Sequence, residues 1–210
     1  MCALIAMIGV VVYVAVDVVL QFLPPYYSPI SEAESNLAVG PFGWIMNLNF
    51  LGRALTSFAL VGALMAVAWA GRVENRLRVP GLLVPGLALL TVGGICSAVL
   101  AFFPTDVAAA GQSVVAASVA GTVHLVVATL GFAAVLAAIV LLTLWVSLSG
   151  CLATARRSAL VFTVLAVVGV AFLALTVTTV PSVLGLAERL CLLGILGWTY
   201  VVARGIRRLS

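Results

Sequence analysis

The sequence predicts an all-α polytopic membrane protein, a single bundle of six transmembrane helices. Only 8% of its 210 residues are charged and 65% are hydrophobic, whereas a water-soluble domain needs far more charge to cover its surface. The apolar residues also form long runs, and a membrane-spanning helix takes about 20 of them in succession. These runs use most of the chain, so residues 1–210 are predicted to form one domain.

Six apolar runs define the predicted spans. The first resembles a signal peptide, but it lacks a positively charged start and contains Asp17, so we expect it to be retained as a span. The second and fourth runs are about 30 residues long, and such a helix measures about 45 Å against a hydrocarbon core of about 30 Å. Small residues between 93 and 98 are expected to let helices approach closely. The predicted spans are residues 2–22, 44–70, 81–103, 120–147, 158–180 and 186–204.

Arginine sets the expected orientation, because the sequence contains no lysine and short loops rich in positive charge stay in the cytoplasm. Eight arginines and Glu74 fall on one side of the six-span alternation, which gives that side a net charge of +7. Arg53 and Arg189 share the other side with five acids, which gives −3 and recovers the total of +4. We therefore expect both termini to be cytoplasmic. The eight arginines are Arg72, Arg76, Arg78, Arg156, Arg157, Arg204, Arg207 and Arg208.

The segment YYSPISEAESN, residues 26–36, forms the first outer loop in this topology. The proline pair at 24–25 ends the first span, since proline disfavours helix at and before its own position. Ser31 and Glu34 have the spacing of a capping box, which predicts a short helix lying on the outer end of the bundle. In that arrangement Glu34 is structural and Glu32 is the less constrained carboxylate.

The ionisable residues in or near the spans are predicted to lie at one depth. The excess length of the second and fourth runs raises Arg53 and His124 towards the outer boundary, where Asp17 also lies. A charge inside the membrane costs about 2.5 to 3.5 kcal/mol and normally faces a partner in the bundle, so we predict an Asp17–Arg53 ion pair. Neighbouring residues on a helix point about 100° apart, so Arg189 is expected to pair with an acid other than Glu188. The acids available to Arg189 are Asp106, Glu32 and Glu34.

These side chains predict a polar pocket that opens outward. Imidazole or carboxyl groups with shifted pKa values can transfer protons, and an arginine can hold phosphate by a forked contact. The candidates for catalysis are His124, Glu32 and Asp106. The candidates for ligand binding are Asp17, Arg53, Glu188 and Arg189.

A metal site is not predicted, and no cofactor is identified. Zinc sites use several histidines or thiolates, and His124 is the single histidine of the sequence. A harder ion such as calcium could use Glu32, Asp106 and Glu188, although no recognisable calcium loop is present. The four cysteines are interpreted as apolar filler, because no pair falls in an outer loop. Nucleic-acid binding is not expected, since the basic character belongs to the inner-face arginines.

Several motifs together resemble a known family. The segments YSPISEAESNLAVGPFGW (27–44), FFPTD (102–106) and GLAERL (185–190), with Arg53 and His124, are similar to the bacterial membrane family known as domain of unknown function 998. The resemblance covers Asp17 to Trp198. It implies a six-span fold in the bacterial inner membrane with a motif cluster on the outer side, and it supplies no substrate.

Three functions are compatible with this arrangement. The first is binding or processing of a lipid or lipid-linked headgroup at the outer leaflet, with membrane lipid as the partner. The second is proton-coupled transport of a small molecule, for which Asp17 and Glu188 would carry protons. The third is a noncatalytic role as partner or assembly factor of another membrane protein or of a second copy of the chain. Depth favours the first, because the polar residues lie at the headgroup level.

Overall fold

The computed structural model shows six α-helices in the described residues, which are 1–23, 27–73, 80–107 and 116–209. All six are long and apolar enough to cross a membrane, as predicted. Two short 3₁₀ helices, Glu34–Ala38 and Pro181–Val183, precede α2 and α6. The proline pair at 24–25 and the loop residues Glu74, Arg76 and Arg78 lie outside the described residues. The helices are α1 (Cys2–Leu20), α2 (Gly43–Val73), α3 (Pro80–Leu100), α4 (Val119–Ser149), α5 (Arg156–Thr179) and α6 (Leu184–Arg207).

Helix α4 shows how the sequence sets a boundary. Ser118 is its N-cap, and its hydroxyl accepts a hydrogen bond from the Gly121 backbone N–H at 2.9 Å, which satisfies one of the first unpaired donors of the helix. At the other end Gly150 adopts a left-handed conformation with φ of 71°, which glycine does without a steric penalty. The 31 residues between these caps correspond to about 46 Å of helix, so α4 exceeds the hydrocarbon thickness as predicted.

Glycines allow close approach between helices. A Cβ atom on Gly169 of α5 would lie 2.6 Å from Cys191 Cα in α6, and one on Gly194 would overlap the backbone of Ala166. In α3, a Cβ on Gly94 would lie 2.7 Å from the Phe58 ring, which confirms a packing role for this part of the small-residue segment. Such contacts are typical of membrane helices, which associate through tight packing.

The two ends of the bundle differ in chemistry. The C-terminal ends of α1, α3 and α5 and the N-terminal ends of α2, α4 and α6 meet at what we call the polar end, where five acids lie: Asp17, Glu32, Glu34, Asp106 and Glu188. At the opposite end, the arginine end, Ala155 contacts Gly205, and Arg156, Arg157, Arg204, Arg207 and Arg208 are nearby in sequence. Between the ends the interior is mostly apolar, with Trp145 and Trp198 fully buried.

Candidate functional site

The loop that enters α2 covers the polar end. The Leu186 backbone N–H of α6 donates to the Ile30 carbonyl at 2.9 Å, and a Cβ on Gly185 would lie 2.7 Å from the Pro29 carbonyl oxygen. The expected short helix is present as the 3₁₀ helix Glu34–Ala38, but its N-cap is Ala33, without a side-chain cap. The predicted Ser31 capping box is therefore wrong, because Glu34 is directed into the bundle.

Glu34 is the most buried acid at this end, with 2% of its surface exposed. The Tyr13 hydroxyl of α1 donates to Glu34 Oε2 at 2.9 Å, and the Glu34 backbone N–H donates to Glu188 Oε2 at 2.7 Å. Burial, together with the charges of Glu188 and Asp17, raises the pKa of the Glu34 carboxyl to about 8. The hydrogen bonds of Glu34 join α1, the loop and α6, in keeping with the structural role expected for it.

Arg53 of α2 binds hydroxyl groups. Its Nε donates to Ser97 Oγ of α3 at 2.8 Å, and its Nη1 donates to the Tyr13 hydroxyl at 3.3 Å. The guanidinium carbon lies 5.4 Å from the ring centres of Tyr13 and Phe50, a distance at which an aromatic face attracts a cation. The predicted Asp17–Arg53 ion pair is wrong, because Arg53 meets α1 at Tyr13, one turn before Asp17, and Asp17 pairs with Arg189 instead.

Arg189 of α6 is the partner of Asp17, with 3.5 Å between Nη2 and Oδ1. Nη2 also donates to the Tyr27 hydroxyl at 2.7 Å, and Nη1 donates to the carbonyls of Pro29 and Gly185 at 3.1 and 3.3 Å. Burial raises the pKa of the Tyr27 phenol above its ordinary value. None of the three acids expected to pair with Arg189, namely Asp106, Glu32 and Glu34, does so. We call this arrangement the Arg189 clamp: Asp17, Tyr27, Pro29, Gly185 and Arg189.

Asp106 holds the start of α4. Its Oδ2 accepts from the backbone N–H groups of Ala117 and Ser118, and its Oδ1 accepts from the Ser118 hydroxyl, each at 2.8 Å. These hydrogen bonds favour the carboxylate and lower the pKa of Asp106. A structural role thus accounts for both oxygens of this catalytic candidate.

His124, which is 4% exposed, lies one turn after the start of α4. The distance between His124 Nδ1 and the Phe103 carbonyl oxygen is 2.7 Å. Because a carbonyl only accepts, Nδ1 carries a proton, and in the neutral form of the ring Nε2 is an acceptor. Nε2 has no hydrogen-bond partner among the described residues.

Two openings flank these contacts. The larger, which we call the main cavity, has a volume of about 400 Å³ and is lined by the loop before α2 and by α2, α4, α5 and α6. The smaller, the α1–α6 groove, has a volume of about 340 Å³. Glu34 lines both. Five of the seven predicted site residues line the main cavity, namely Glu32, Arg53, Asp106, His124 and Glu188. The other two, Asp17 and Arg189, line the groove.

A family model described as protein of unknown function (DUF998) matches residues 7–205. The chain belongs to this family. No curated protein and no solved structure gives a match. The membership of this DUF998 protein agrees with the resemblance found in the sequence, and it assigns no ligand or reaction.

Three contributors to the polar end of the DUF998 protein were missed in the sequence. Tyr13 bridges Glu34 and Arg53, Tyr27 binds Arg189, and Ser97 binds Arg53 and donates to the Phe50 carbonyl at 2.8 Å. Tyr13 could have been found, because it lies four residues before Asp17 on the same helix face. No comparable signal links Ser97 to Arg53, which are 44 positions apart.

The acids of the DUF998 protein do not form a metal site in the described part of the chain. There, no three His, Cys, Asp or Glu side chains are grouped so that they could hold a metal ion. The set considered for calcium, Glu32, Asp106 and Glu188, shares the main cavity without forming such a group. The carboxylates are instead engaged by backbone N–H groups, as Glu32 Oε2 is by the Ser28 N–H at 2.9 Å.

Proposed function

We propose that the protein binds one amphiphilic molecule, a lipid or a lipid-linked compound, in the main cavity. The observation that carries this proposal is the division of the cavity lining. Acids, Arg53 and His124 lie at its polar end, whereas Phe132, Leu173 and similar apolar side chains line the part within the membrane. A polar headgroup and an apolar chain would each meet a matching environment, as in most ligand sites.

The positions of α4 and α5 support entry from the membrane. Cavity-lining side chains on both helices are exposed, including Leu125 and Thr129 on α4 and Ala174 on α5. Deeper in the bundle the Thr143 and Thr163 hydroxyls bond to each other at 2.7 Å, which joins the same two helices. The cavity thus lies where the helices are not joined by such a bond, and an acyl chain could pass between them.

The charge distribution supports placing the polar end outside the cell. Positively charged residues near span ends favour the cytoplasm, and the arginine end carries five described arginines, including Arg156 and Arg208. On this assignment the main cavity opens at the outer leaflet of the inner membrane and both termini are cytoplasmic. Reporter fusions test it: reporters active only in the cytoplasm should work at both termini, and inactive reporters would contradict the orientation.

Native mass spectrometry tests ligand binding. Protein purified in a mild detergent should retain an amphiphile, seen as a discrete mass increment lost at higher activation energy. The variant Ala174→Trp fills the cavity from α5 and should abolish the increment. Val168→Trp is a matched control, because Val168 is an exposed α5 residue that does not line the cavity. An increment that is absent from the unmodified protein, or equal in both variants, would contradict the proposal.

A further inference from the structure

We propose that the polar group bound in the main cavity is a cation, and that the ligand is an amphiphile bearing a protonated amine rather than a phosphate or sulfate. The inference rests on the proposed function and narrows its ligand class. It follows from the acidic side chains of the lining, from a ring nitrogen of His124 that has no hydrogen-bond partner among the described residues, and from the contacts of the two arginines.

The lining of the main cavity is acidic. Four carboxyl groups line it, those of Glu32, Glu34, Asp106 and Glu188, against one guanidinium, that of Arg53. The pKa of Glu34, raised to about 8, favours its neutral form at pH 7, and the other three acidic side chains still outnumber the one guanidinium. An anion placed among them would be repelled at short range in a medium that screens charge poorly, whereas a cation would be attracted.

His124 offers an unused acceptor to the cavity. The side chain is 4% exposed and lines the cavity. Its Nδ1 is occupied by the Phe103 carbonyl, so in the neutral ring Nε2 is an acceptor, and it has no hydrogen-bond partner among the described residues. An ammonium group, which has three donors and no acceptor, would suit this nitrogen and the carboxylates of the lining.

The arginines are poorly placed to hold phosphate. Arg189, one of the two sequence-predicted candidates, lines the α1–α6 groove and is committed to Asp17, Tyr27 and two carbonyls. Arg53 directs Nε to Ser97 and Nη1 to Tyr13, so two of its five N–H donors are already engaged, and it is the one guanidinium among four carboxyl groups of the lining.

Four probes test the inference, and hexadecylamine is the reference. Hexadecanol and hexadecyl phosphate differ from it in the polar group, and butylamine differs from it in the length of the chain. Their binding to the purified full-length protein is measured at pH 7 by native mass spectrometry. Charged hydrogen bonds are stronger than neutral ones, so hexadecylamine should bind at least about tenfold more tightly than hexadecanol. Hexadecyl phosphate should bind more weakly than the alcohol. Butylamine should bind more weakly than hexadecylamine, because it lacks the chain.

Variants identify the carboxylates involved. Glu188→Gln and, in the loop, Glu32→Gln should each reduce hexadecylamine affinity several-fold and leave hexadecanol unchanged. Arg157→Gln is the control, because it removes a charge from an exposed residue at the arginine end; thermal melting verifies that each variant is folded. If Glu188→Gln does not fold, Glu32→Gln decides alone.

The outcomes separate the inference from the proposed function. Binding of hexadecyl phosphate or hexadecanol as tightly as hexadecylamine would overturn the cationic headgroup and leave the amphiphile cavity standing. Equal losses for amine and alcohol in the glutamine variants would also overturn the headgroup, because they would show a structural effect. Butylamine that binds as tightly as hexadecylamine, or the absence of binding by all four probes, would overturn both.

Discussion

The main cavity and the Arg189 clamp lie side by side at the polar end, and each contains one arginine. Arg189 makes contacts with a carboxylate, a phenol and two carbonyls, and these groups come from α1, the loop and α6. Arg53 contacts two hydroxyls and two aromatic rings, without a carboxylate partner in the described residues. The two arginines lie at the same end of the bundle, but they have different surroundings.

This difference separates a structural cluster from the cluster that we propose binds a ligand. In the clamp, Asp17 faces the charge of Arg189, and Tyr27 and two carbonyls accept from its Nη atoms, while Nε is buried without a partner among the described residues. In the cavity, His124 Nε2 has no hydrogen-bond partner among the described residues, and four carboxyl groups face one guanidinium. Charges inside the membrane are costly, so an excess of acidic groups there supports the proposed cationic ligand.

The clamp should matter most for stability, and Arg189→Ala tests it. Removing one partner of a buried ion pair leaves the other charge uncompensated, which costs about 3 to 5 kcal/mol. We expect a loss of this size in the free energy of unfolding, measured by denaturant titration in detergent micelles. Arg157→Ala at the exposed start of α5 is the matched control and should change little. Equal stability of the two variants would show that the clamp is not structural.

Glu34 lies between the clamp and the cavity, and its pKa gives stability a pH dependence. The folded-state pKa of about 8 lies above the ordinary value of 4.5, so the folded protein holds a proton that the unfolded chain releases. The stabilisation is complete below about pH 4.5 and is lost as the pH rises to about 8.

The corresponding measurement compares unfolding free energies at pH 6 and pH 8. One pKa unit corresponds to about 1.4 kcal/mol, so the loss between these values should be about 2 kcal/mol. Glu34→Gln keeps the shape of the side chain without its ionisation and should flatten this dependence. A Glu34→Gln protein with the pH profile of the unmodified protein would assign the dependence to another group.

The fold could be predicted well from the sequence because length and apolar content determine a membrane span almost alone. Helix α4 was predicted at 120–147 and is found at Val119–Ser149. The shared depth of the acids could also be predicted, since depth follows from position along a helix. Partners could not, because they depend on how each helix is shifted along and rotated about its axis. Asp17 and Arg53 were expected at one depth, yet Arg53 meets α1 one turn away, at Tyr13, and Asp17 pairs with Arg189 of α6.

On the cavity side, Ser97→Ala removes the hydroxyl that receives Arg53 Nε at 2.8 Å. A hydrogen bond of this kind contributes about 1 kcal/mol, and we expect that loss in the unfolding free energy. Ser57→Ala is the control, because the Ser57 hydroxyl bonds only to the Arg53 carbonyl of its own helix. A Ser97→Ala loss as large as that of Arg189→Ala would remove the distinction between the two arginines.

The smallest effect is expected at the exposed rim of the cavity, where Asp106 accepts three hydrogen bonds at the start of α4. Its lowered pKa means that its contribution is present above the ordinary value of 3.8 and is lost as the pH falls through the folded-state value. Asp106→Asn should therefore lower the melting temperature slightly at pH 7, and the difference from the unmodified protein should shrink in acid. Because both carboxylate oxygens already have partners, this variant should bind hexadecylamine almost as well as the unmodified protein. A loss of amine affinity equal to that of Glu188→Gln would instead place Asp106 among the groups that contact the ligand.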